Sequence, residues 1–104
     1  MSAWNDAVEF NDLFFPAWRE ADLVYLSNAL AGEVGEVCND TKHAAGGGTN
    51  RTVPSKAHIA EELADVYLYI VVLAERLGFD EEHFTDVVLR KLWLNVERMA
   101  EAPR

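Results

Sequence analysis

The chain has 104 residues, half of them hydrophobic, which predicts one domain with a packed core rather than a disordered acidic tail. Nine Lys plus Arg stand against 18 Asp plus Glu, a formal charge of −9, which argues against a nucleic-acid backbone as the main partner. No basic amphipathic stretch addresses a membrane surface, and the longest apolar run, Val66 to Ala74, is too short to cross a bilayer.

Four helices and no strand are expected along residues 1–104. The first covers Ala3 to Phe14 and stops ahead of Pro16, which disfavours helical geometry in the residue before it. The first six residues, Met-Ser-Ala-Trp-Asn-Asp, have no basic region leading into an apolar core, so no secretory signal is expected. The second helix runs from Ala21 to His43 with Leu23, Leu26, Leu30, Val34 and Val37 as its stripe. Its lone cysteine, Cys38, lies beside that stripe and reads as a buried structural thiol. With no second cysteine for an internal disulfide, a reducing cytoplasmic interior is expected. A glycine-rich loop, Ala44 to Thr52, follows.

The third helix starts near Pro54, acceptable in a first turn, and ends at Leu77 before Gly78. Its stretch Val66 to Ala74 is apolar nearly all the way round. Four helices of this length hardly enclose such an element, so a second subunit is expected over its remaining face, giving a homo-oligomer, either a dimer or a tetramer. The fourth helix has Asp80 as N-cap, Glu81 and Glu82 against the helix dipole, and continues to Met99. The tail from Glu101 is expected to fray.

Two acidic pairs stand inside this helical frame. Glu33-x-x-Glu36 and Glu62-x-x-Asp65 each place two carboxylates on one helix face, an arrangement that slightly destabilises a helix. Their surroundings repeat: Leu30-Ala-Gly-Glu33-Val34-Gly-Glu36-Val37 matches Ile59-Ala-Glu-Glu62-Leu63-Ala-Asp65-Val66 position for position. At about 100° per residue the apolar positions lie roughly 60–100° from the acids, so packing the two stripes gathers four carboxylates at one rim. Four hard oxygen donors suit Mg²⁺ or Mn²⁺. His43, His58 and His83 read as bystanders, because none completes a Glu-x-x-His motif of the kind that serves di-iron bundles.

Other side chains share the acidic face or point towards it. Tyr69 and His58 fall on the face of Glu62 and Asp65. On the fourth helix Lys91, Asn95 and Arg98 share a face that continues into Phe84, Val87 and Val88, and it is expected to point inward, placing cations where a ligand has phosphate oxygens. Asn39 and Lys42, at the end of the second helix, are further candidates. Gly32 and Gly35 each cost about 1 kcal/mol inside a helix and are expected to admit a close approach by a helix or ligand.

At these residues the sequence resembles the MazG-like, all-α nucleoside triphosphate pyrophosphatases. Their Glu-x-x-Glu, spacer, Glu-x-x-Asp signature is filled by Glu33, Glu36, Glu62 and Asp65, with 25 residues between the pairs. Tyr69 matches a tyrosine one turn after the aspartate, and Lys91 with Asn95 matches a Lys-x-x-x-Asn near the family's C-terminus. The resemblance implies a helical bundle that holds Mg²⁺ on the four acids. It also implies hydrolysis of a nucleoside triphosphate between the α and β phosphorus atoms, with one acid orienting the attacking water. Lys91, Asn95 and Lys42 are then expected at phosphate or sugar. Where some cytosine-selecting relatives carry a tryptophan soon after the second glutamate, this chain has Lys42-His43, so base preference does not carry over. The competing readings are a bundle acting on phosphoribosyl-ATP and a non-catalytic acidic oligomeric adaptor.

Overall fold

Short polar side chains start each of the four α-helices by accepting a backbone amide that has no partner within the helix. In the computed structural model, which describes residues 2–45 and 53–101, Ser2 caps α1 (Ala3–Phe14) through Asn5 N at 3.1 Å. Asp22 caps α2 (Leu23–Ala44) through Val24 N at 2.8 Å. Ser55 caps α3 (Lys56–Arg76) through His58 N at 3.1 Å, and Asp80 precedes α4 (Glu81–Glu101), accepting from His83 N at 2.9 Å. Gly78, at φ +90°, ends α3 in the left-handed region that favours glycine.

The described residues form an all-α chain of four helices without strands. Expected and observed boundaries agree within two residues. The unexpected element is a short 3₁₀ helix at Pro16–Glu20. Proline supports its first turn, and Asp12 clamps Arg19 with two 2.7 Å bonds while accepting the Trp18 indole N–H at 2.9 Å. Helix α4 still includes Glu101, where fraying was expected. The triple glycine at 46–48 lies outside the described residues.

Helices α2 and α3 pack along each other as the main pair, and α1 crosses α3. Two small cores result. Trp4, Ala7, Val71 and Ala74 form one, and Trp18, Leu26 and Val72 form the other. Val71 is fully buried, a burial that contributes about 1.5–3 kcal/mol. Much of the apolar belt of α3 is therefore covered by this chain's own α1 and 3₁₀ segment. Polar ties fix the same corner: the Trp4 indole donates to Glu75 at 2.7 Å, and Arg76 donates to the Ala21 carbonyl at 2.7 Å.

Helix α4 behaves differently. Phe84 stacks on Trp4 with ring centroids 5.5 Å apart, but every residue from Thr85 to Glu101 is exposed and no other helix packs along it. The face bearing Lys91, Asn95 and Arg98, expected to point inward, is uncovered in the single chain. Helix α2 packs along α3 and α1 crosses it, whereas α4 meets the rest of the described chain mainly near Phe84.

Cys38 is exposed rather than buried. It sits one residue, about 100°, past half-buried Val37, which turns it away from α3. Gly32 and Gly35 face open space, with nothing within 4 Å of an added Cβ, so the close approach expected there is not made by this chain's own helices.

Candidate metal centre

The helical repeat of the two acidic pairs becomes a cluster because α2 and α3 pack along each other, although Val34 and Leu63 of the matched stripes stay exposed. Glu33 from α2 and Glu62 and Asp65 from α3 each offer one carboxylate oxygen, all within 4.8 Å of one another. Around an octahedral divalent ion with bonds of about 2.1 Å, oxygens lie roughly 3–4.2 Å apart, a difference that small side-chain rotations close. The Glu62 side chain is 14% exposed, and its Oε2 is buried without a hydrogen-bond partner. A buried carboxylate oxygen left unpaired is costly, and a bound cation satisfies it. The donor set fits a hard divalent metal.

Glu36 stands beside this triad rather than within it. It meets Glu62 closely enough that a proton shared between them is the main reason the Glu62 carboxyl is held above its usual range, with burial and the Glu36 charge adding to the effect. Glu33 is raised as well, first by burial and then by the charges of Glu36 and Asp65. The four acids thus act on one another electrostatically, as like charges converging without a cation must.

A second group was not foreseen. His58 Nε2 lies 3.2 Å from Asp40 Oδ2 and 3.4 Å from Glu62 Oε1. Those three residues form a second set with metal-ligand spacing that shares Glu62 with the first. The face-sharing of His58 with Glu62 was legible, but the approach of Asp40 from α2 required the helix pairing.

Beside the acids opens a cavity of about 1050 Å³ between α1, the 3₁₀ segment, α2 and α3. Asp65 and Tyr69 form its α3 wall together with Leu68 and Val72, which follow one another at helical spacing. Tyr69 therefore stands where the acidic face suggested. Asn39 and Lys42 are exposed near the end of α2, and neither they nor Lys91, Asn95 and Arg98 line this cavity. The α1 residues that do line it carried a signal, since Ala3, Asp6, Ala7, Phe10 and Asn11 share one helix face. That stripe mixes acid, amide and aromatic side chains too freely to stand out without the structure.

A family model described as MazG-like matches residues 30–102, which include all four acids and most of α2, α3 and α4. No curated protein and no solved structure matches the chain.

Proposed function

This chain belongs to the MazG-like family, and on that premise we propose that it hydrolyses a nucleoside triphosphate to the monophosphate and pyrophosphate with Mg²⁺, Mn²⁺ being the alternative ion. The observation that carries the reading is the convergence of Glu33, Glu62 and Asp65, with an orphaned buried oxygen on Glu62. A triphosphate and these acids repel each other unless cations stand between them.

When bound, Mg²⁺ supplies neutralisation of the phosphate oxygens and lowers the pKa of water. The chain's residues do the rest. Glu33, Glu62 and Asp65 hold the ion, and Glu36, at the rim beside Glu62, orients the attacking water and accepts its proton. Tyr69 and the cavity wall beyond Asp65 position the nucleoside side of the substrate. Attack falls on the α-phosphorus because the nucleoside is anchored next to the acids, which leaves pyrophosphate as the departing group. Hydrolysis in ¹⁸O-labelled water is expected to place the label in the nucleoside monophosphate. Label in pyrophosphate means attack at the β-phosphorus, and release of inorganic phosphate means a γ-phosphatase. Either outcome overturns the mechanism, and no turnover of any nucleotide, phosphoribosyl-ATP included, returns the chain to the adaptor reading.

The cationic helix enters through assembly. The accessible surface is 7998 Å², against about 5,900 Å² for a folded monomer of this mass. The radius of gyration is 17.1 Å, against about 13 Å for a compact domain of this length. The surplus of roughly 2,100 Å² per copy, about 4,200 Å² over a pair, falls in the range that obligate homodimers bury in total. Much of it lies on α4, where Trp93 is 68% and Met99 77% exposed. We infer a homo-oligomer in which a second copy covers α4 and brings Lys91, Asn95, Arg98 and the α2 end with Asn39 and Lys42 towards substrate phosphate or sugar. Sedimentation is expected to give a dimer or tetramer, and Trp93→Glu, harmless to a lone exposed helix, is expected to dissociate it and lower activity. A wild-type chain that is a folded, active monomer at micromolar concentration removes this inference.

A further inference from the structure

The acid cluster is one end of a longer ladder between α2 and α3. The α2 face carries Glu33, Glu36 and Asp40 at steps of three and four, and the α3 face carries His58, Glu62 and Asp65 at steps of four and three. The opposing pairs run antiparallel: Glu33 meets Asp65, Glu36 meets Glu62, and Asp40 meets His58. The first two rungs set carboxylate against carboxylate. The third sets a carboxylate against an imidazole, with Asp40 Oδ2 3.2 Å from His58 Nε2.

His58 also reaches along its own helix. Its Nε2 lies 3.4 Å from Glu62 Oε1, one turn further on. A ring nitrogen facing two carboxylate oxygens carries its proton there, because a bare lone pair would add a third negative pole. Charge-assisted bonds of this kind are about 2.7–2.9 Å when made singly, so the longer pair of distances describes one proton shared between Asp40 and Glu62. The consequence for Glu62 is directional. Its Oε1 is engaged, and Oε2, buried without a hydrogen-bond partner, is the oxygen left for a cation. The half-exposed ring is itself fixed at both ends: Ser55 Oγ accepts the His58 backbone N–H at 3.1 Å, and Asp40 holds Nε2 against α2.

We propose that His58, held by Asp40, is a positioning residue that orients the Glu62 carboxylate for the divalent ion. The proposal rests on the metal reading of the acid triad. Spacing within α3 makes His58 a bystander, and the opposing helix gives it a partner and a task. Without the imidazole the Glu62 carboxylate is free to turn, and binding the ion must then order it at an entropic cost. Groups that orient a metal ligand in this way are worth about 10–100-fold in metal affinity.

Mn²⁺ is titrated into the full chain, and the free ion is counted by electron paramagnetic resonance, a readout that needs no substrate. His58→Ala is expected to weaken binding about 10–100-fold with the circular dichroism unchanged, the ring being half exposed. His58→Gln, whose amide nitrogen takes the place of Nε2, is expected to restore most of the affinity with the same number of ions bound. Asp40→Ala is expected to weaken binding in the same direction as His58→Ala. If His58 acted only through its charge, removing it from beside a cation site would tighten binding. Unchanged or tighter binding in His58→Ala therefore overturns the proposal, and so does His58→Gln binding no better than His58→Ala. An ion lost from the count in both His58 variants makes the imidazole a ligand in its own right and overturns it as well. Each of these outcomes leaves the acid triad standing. A wild-type chain that binds no Mn²⁺ fails the metal reading itself and takes this proposal with it.

Discussion

Asp65→Ala is expected to lower nucleotide hydrolysis by about 10²–10³-fold, the loss seen when one preorganised electrostatic group is removed from a phosphoryl- or acyl-transfer site. Asp65 belongs both to the acid triad and to the cavity wall, where the proposed mechanism anchors the nucleoside. It is also exposed, so its replacement removes chemistry without opening a core, and circular dichroism should be unchanged. Glu62→Ala is expected to be as damaging, since Glu62 meets Glu36 of α2 and, by way of its helix neighbour His58, Asp40 of α2. Glu36→Ala separates two arrangements. A comparable loss means that the four acids act as one set, with Glu36 at the water. An unaffected rate reduces the centre to Glu33, Glu62 and Asp65 and removes the role given to Glu36. Lys91→Ala is expected to slow turnover while leaving metal affinity intact, because the proposed assembly brings it to phosphate and not to the ion. Wild-type rates in Asp65→Ala and Glu62→Ala would leave the acid cluster without a catalytic role.

Mg²⁺ at a hundredfold excess over its dissociation constant is expected to stabilise the fold by about 2.7 kcal/mol, which for a domain of this size raises the melting midpoint by roughly 10–20 °C. The pH dependence without metal gives an independent check. Glu33 and Glu62 have folded-state pKa values raised above the ordinary glutamate value, so between the two values the folded chain binds more protons than the unfolded one. Their contribution to stability is therefore fully present below the unfolded value and is lost as pH rises through the raised folded values. The metal-free protein should lose stability from these two groups as pH rises from about 4.5 towards neutrality, where Mg²⁺ restores it. At the acid end protons compete for the same carboxylates and the Mg²⁺ effect shrinks. Thermal unfolding with Mg²⁺, with Mn²⁺ and with chelator across this range measures both trends. A midpoint indifferent to saturating metal at neutral pH contradicts a formed acid site.

Neither result could be framed without the helices, and those were largely legible beforehand. Pro16 and Gly78 mark breaks, Asp80 caps, and apolar stripes at steps of three and four run between them; the caps Asp22 and Ser55 emerged only with the structure. The matched octets around Glu33 and Glu62 announced two acidic faces that would meet if their stripes packed, and the faces do meet. The 3₁₀ turn at Pro16–Glu20 was harder to see because its stability comes from Asp12, which takes both the Arg19 guanidinium and the Trp18 indole from residues further along the chain.

What the sequence determined by itself is what depends on spacing within one helix: where each helix begins and ends, and which side chains share its face. The pairing Glu33 with Glu36, Glu62 with Asp65, and Lys91 with Asn95 and Arg98 needs only the helical period. The tertiary structure decided everything that requires two helices at once. It set Asp40 against His58, turned Cys38 outward, gave the apolar belt of α3 to α1, and opened a cavity walled by α1 against Asp65. It also left α4 uncovered, which no periodicity reveals: a stripe records that a face is apolar, whereas the surface that covers it depends on how the other helices have already used theirs.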